Sequence, residues 1–137
     1  MDERDRGPSQ LQDPQATASQ LSEVSLYLAK KYLASGEIRK ARTMLEELVR
    51  RTPDAESLLL LAQLELDNPK RHVDALEHMR QAVAMSPQYT EAWLTLANYW
   101  SVRGQPEKQR RCLEKVLAYE PSNRDVRDAL TLLLTKK

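Results

Sequence analysis

The chain has 137 residues and a formal net charge of +1, with 21 Lys and Arg against 20 Asp and Glu. That length suits one ordinary domain, and so even a balance speaks against a dedicated binder of nucleic acid or anionic membrane. Three Gly, no Phe and an apolar share of 41% rich in Leu and Ala exclude an all-β fold, and the single cysteine, Cys112, excludes an intrachain disulfide or a cysteine-built zinc cage.

Residues 1–13 mix charges with Gly, Pro and Ser around one Leu, and are expected to form a flexible tail. They carry neither the apolar run of a secretory signal nor a lipid-attachment motif. The longest apolar stretch, Leu58 to Ala62, is far short of a membrane span, so no membrane insertion and a cytoplasmic location are expected. At Asp13-Pro14 a cap and a helix-opening proline start a long first helix, with Thr17 and Gln20 offering a second capping site. Leu21, Val24, Leu28, Ala29 and Tyr32 recur at helical spacing until Ser35-Gly36 ends it. A second helix, near 37–51, carries Ile38, Ala41, Leu45, Leu48 and Val49.

Proline then stands at 53, 87 and 121, equally spaced by 34 residues. Each is followed by a polar N-cap candidate, Asp54, Thr90 or Ser122, and so marks the close of one helix and the start of another. Further breaks at Asn68-Pro69 and Arg103–Pro106 divide each interval into two helices, the turn at 67–72 being the longer. A last helix, about 123–135, sets Val126, Ala129, Leu130 and Leu133 against Arg124, Asp125, Arg127 and Asp128, the pattern of a helix that caps a core.

With these residues the chain resembles the tetratricopeptide-repeat family. The third unit runs Trp93, Leu96-Ala97, Trp100, Gly104, Leu113, Val116 and Pro121. The first runs Leu28-Ala29, Tyr32, Gly36, Ala41, Leu45, Leu48 and Pro53, and the second Leu58, Leu61-Ala62, Ala75, Met79, Ala82 and Pro87. Ser25 replaces the first aromatic of unit one, Glu65 stands where Tyr is usual, and Gln109 where a small residue is usual. The resemblance implies an all-α, right-handed solenoid over residues 14–136. Its repeats would lie at about 14–53, 54–87 and 88–121, with the terminal helix as a cap. Ala29, Ala62 and Ala97 would then sit where paired helices cross closely, facing Ala41 and Ala75. Trp93, Leu96 and Trp100 would fill the volume toward the neighbouring unit.

A search for chemistry finds no convergent groups, and neither enzymatic activity nor a cofactor is expected. His72 and His78 lie six apart, about 240° around a helix, and cannot hold one metal from one face. Cys112 beside Leu113 reads as a buried structural thiol, and Gly36 and Gly104 mark turns instead of a phosphate cradle. Acidic residues read as solvated charges or helical partners, such as Glu47 with Arg51. The basic residues of the second helices, among them Arg39, Lys40, Arg50, Arg51, Arg110 and Arg111, have acidic neighbours and no aromatic platform between them; nucleic-acid binding is therefore not expected.

By correspondence with the family, the inward positions are Leu26, Lys30 and Leu33 in unit one, Leu59, Gln63 and Leu66 in unit two, and Leu94, Asn98 and Ser101 in unit three. The basic clamp of members that capture acidic chaperone tails is missing, because Leu26, Glu91 and Thr95 replace its cations. Leu and the polar series Lys30, Gln63 and Asn98 instead suit an apolar segment, helical or extended, of a partner protein. The expected function is a non-enzymatic adaptor or scaffold with such a segment in a concave groove. A small chaperone sheltering an exported client and a self-assembling scaffold are the alternatives.

Overall fold

A computed structural model describes residues 14–135, with side chains from residue 20 onward, so the tail expected over 1–13 and the caps expected at Asp13 and Thr17 lie outside it. The described residues are helical and contain no strand. The chain divides into two compact units between Pro53 and Asp54.

The first unit is a helical hairpin of α1 (Pro14–Ala34) and α2 (Ile38–Arg51). Gly36 makes the turn with φ 79°, a conformation that a residue with a Cβ rarely adopts, and Glu37 N–H closes the end of α1 by donating to Tyr32 C=O at 2.8 Å. One face of α2 is apolar and buries Ala41, Leu45 and Leu48, while Ala29 on α1 is buried as well. The opposite face is charged, and there Glu47 pairs with Arg50 at 2.6 Å and with Arg51 at 2.5 Å. At the open end, the hydroxyls of Ser22 and Thr52 bond at 2.6 Å.

The second unit comprises α3 (Ala55–Glu65), a 3-10 turn (Pro69–Arg71), α4 (His72–Met85), α5 (Thr90–Val102), α6 (Pro106–Tyr119) and α7 (Arg124–Thr135). Each helix packs on the next along the chain. Asp54 caps α3, accepting from Ser57 N–H at 2.7 Å and from its hydroxyl at 2.5 Å. The long turn takes its shape from Asn68, whose side chain accepts from Lys70 N–H at 3.0 Å. Gly104, at φ 68°, repeats the role of Gly36, and Gln105 N–H reaches Trp100 C=O at 2.9 Å. Two expected caps are displaced. Thr90 is the first residue of α5, and its hydroxyl donates to the Glu120 carboxylate instead of capping. At α7, Asn123 and not Ser122 accepts from Val126 N–H, at 3.1 Å.

Small residues make up much of the core: Ala62, Ala75, Ala82, Ala92 and Ala97 are all buried, as are Leu58, Leu61, Met79, Leu96, Leu113 and Val116. Such close packing has no room for added methylenes. Ala97→Leu is expected to lower stability by about 1–3 kcal/mol, read as a shift in denaturant midpoint. An unchanged midpoint would mean that α5 and its neighbours leave space at residue 97. The terminal helix buries Val126 and Leu130, while Leu132 and Leu134 remain exposed.

Candidate functional site

The positions assigned to partner contact differ in what the fold leaves open. In the first unit, Leu26, Lys30 and Leu33 lie on one face of α1, the leucines half-buried and Lys30 exposed. In the second, Leu94, Asn98 and Ser101 share a face of α5, and all three are exposed, Leu94 by 38%. Gln63 on α3 and Leu66 just after it are half-buried.

Leu59 departs from this set: it is 1% exposed and belongs to the core. The reason lies in α3 itself. Ser57, Leu58, Leu59, Leu61, Ala62 and Glu65 are all buried, an arc of about 200° at 100° per residue, twice the stripe of an ordinary surface helix. A residue inside that arc packs against protein and cannot meet a guest without displacing it.

Glu65, in the position where the repeat usually has Tyr, is 4% exposed. Its Oε1 lies 2.7 Å from His78 Nδ1, and the Arg71 guanidinium stands 3.5 Å from Oε2, an ion-pair distance too long for a hydrogen bond. The other histidine is also engaged in structure: His72 Nε2 is 3.0 Å from Leu66 C=O and its Nδ1 is 2.7 Å from the Arg103 guanidinium, which lies over the Tyr99 ring. Among the described residues no three His, Cys, Asp or Glu side chains gather as metal ligands would.

Two concavities complete the surface. In the first unit a cavity of about 690 Å3 opens between α1 and α2, lined by Leu21, Ser25, Tyr32, Met44 and Leu48. Ser25 stands there where the third repeat carries Trp93, so the volume of an indole is missing from the wall. In the second unit a cavity of about 430 Å3 lies over α5, between α4 and α6. Trp93 and Trp100, expected to be filling side chains, are only half-buried and form its floor with Leu96. Lys108 Nζ sits 4.4 Å from the centre of the Trp100 ring and Lys115 Nζ 5.9 Å from that of Trp93. Two lysines of α6 therefore do have aromatic partners, which the sequence did not lead one to expect, while Arg110 is met by carboxylates. The spacing of Trp93 and Trp100, seven apart and so on one helix face, was the signal available for this site. Cys112, at the edge of the floor, is buried, and burial pushes its thiol up to about 11, away from thiolate chemistry.

Family models described as tetratricopeptide repeat match residues 26–90 and 69–133. No curated protein matches the chain in sequence. Among solved structures, one described as the crystal structure of MamA superposes with a TM-score of 0.71 at 22% identity, over 82% of this chain and 66% of that one. This chain therefore spans just under two thirds of that relative's length. The first tetratricopeptide repeat of Spaghetti (RPAP3), bound to the HSP90 peptide SRMEEVD, gives a TM-score of 0.73 at 21% identity, over 85% of this chain and 92% of that one. A second MamA structure gives 0.72 at 19%, over 96% and 75%. At these identities the likeness is one of fold.

Proposed function

Because this chain belongs to the tetratricopeptide-repeat family, we propose that it is a non-enzymatic protein-interaction module that holds an apolar segment of a partner protein on the open face of α5. The observation that carries this reading is the α5 face. On a helix that otherwise buries Ala92, Leu96, Ala97 and Tyr99, Leu94, Asn98 and Ser101 stay uncovered in one line. Leu94 offers an apolar anchor, and the Asn98 amide, one turn on, can pair with a guest backbone. Leu26 and Lys30 repeat that pairing on α1.

The RPAP3 domain is bound to a peptide ending in Glu-Glu-Val-Asp. Here Leu26, Glu91 and Thr95 occupy the positions at which chaperone-tail receptors carry cations, which turns the preference of these faces from acidic to apolar segments. Among the described residues no helix is long and apolar enough to cross a membrane, in keeping with a partner met in water.

Leu94→Glu is expected to weaken capture of the partner at least about tenfold, since an unpaired carboxylate would face the apolar anchor, while the helical circular-dichroism signal stays intact. Affinity purification from the native cell, followed by titration of the recovered partner against wild type and variant, provides the measurement. Undiminished affinity would remove the α5 face from the binding site.

A further inference from the structure

On α6, the charge of Arg110 is met twice, by Glu107 at 2.5 Å and by Glu114 at 2.8 Å. Its neighbour Arg111 makes no close ion pair among the described residues and meets Glu107 only at longer range, and Arg80 on α4 makes no close ion pair either. These two exposed guanidinium groups line the cavity of about 430 Å3 whose floor is Trp93, Leu96 and Trp100. Lys108, also at its wall, is engaged only with the Trp100 ring. Indole faces beside guanidinium groups that no carboxylate closely pairs make a receptor for an apolar side chain flanked by anions.

We propose that this cavity, between α4 and α6, is a second docking site that takes an acidic segment of a partner protein, one apolar side chain seated on the two indoles and neighbouring carboxylates on Arg80 and Arg111. Its size suits one or two side chains. A nucleic acid would need a track of cations along several phosphates, whereas here Glu107 and Glu114 stand on the same helix. The site is distinct from the face proposed for apolar segments: at about 100° per residue, the centre of the Trp93, Leu96 and Trp100 side of α5 lies about 130° around the helix from the centre of the Leu94, Asn98 and Ser101 side.

The chain's two tryptophans are both in this floor, so intrinsic fluorescence reads the site directly. The probe is a short synthetic peptide of Glu, Asp and Leu, compared with its amide analogue in which Gln and Asn replace the acids, and with an oligouridylate of equal length. Saturable change in tryptophan emission is expected with the acidic peptide, weakening as salt rises, and absent with the amide analogue. The paired change Arg80→Glu and Arg111→Glu is expected to weaken binding by on the order of tenfold or more, with circular dichroism unchanged because both side chains are exposed and in no close ion pair. Leu94→Glu is expected to leave this titration unmoved, which separates the failure of one site from that of the other. No saturable response to the acidic peptide, an equal response in the paired variant, or tighter binding of the oligouridylate would each overturn the proposal.

Discussion

Leu59→Glu is expected to abolish the cooperative thermal transition, whereas Leu94→Glu keeps it. The two residues hold equivalent positions in successive repeats, yet Leu59 is 1% exposed and Leu94 is 38% exposed. An ionised carboxylate forced into the core at 59 would cost several kcal/mol, a large share of the roughly 5–15 kcal/mol that holds a domain together. At 94 it remains in water. Thermal melts followed by circular dichroism decide the matter, and a Leu59→Glu variant that melts like wild type would put that side chain on the surface.

The second large effect is an asymmetry at Glu65. His78→Ala is expected to destabilise the second unit by about 3 kcal/mol, because it leaves a buried carboxylate with only the longer contact to Arg71. Glu65→Met, which removes the charge and keeps the volume, is expected to fall within about 1 kcal/mol of wild type or to exceed it. Combining the two should recover most of what His78→Ala loses, since the histidine matters through the glutamate. Urea denaturation of the three variants measures this. Equal losses in both single variants would show that the pair contributes net stability of its own.

Much of the fold was legible in the sequence because its signals are local. Pro53, Pro87 and Pro121 punctuate the helices, Gly36 and Gly104 take the left-handed turns, and the small residues at 29, 41, 62, 75 and 97 are buried. The candidate surface was legible only in part. A repeat register says which way Leu59 points along its helix, but its burial depends on how wide an arc of α3 is covered, which periodicity does not encode. The contact between Glu65 and His78 joins residues thirteen apart and exists only once α3 and α4 form a hairpin. The cavity over Trp93 and Trp100 escaped notice for a different reason. It is made by what is small around it, Val83 and Ala84 on α4 and Cys112 on α6, and a sequence pattern shows the side chains that fill space more readily than the space left empty.

In the second unit each helix packs on its neighbour in the chain, α3 on α4 and so on to α7. Contacts of that kind close short loops, so little chain entropy is spent before the first native pair forms. Refolding of this unit should therefore run on the microsecond-to-millisecond timescale of helical proteins with low contact order. Any of its hairpins can serve as the nucleus from which order spreads in both directions. A chain assembled this way can begin to fold while its carboxyl-terminal helices are still being synthesised.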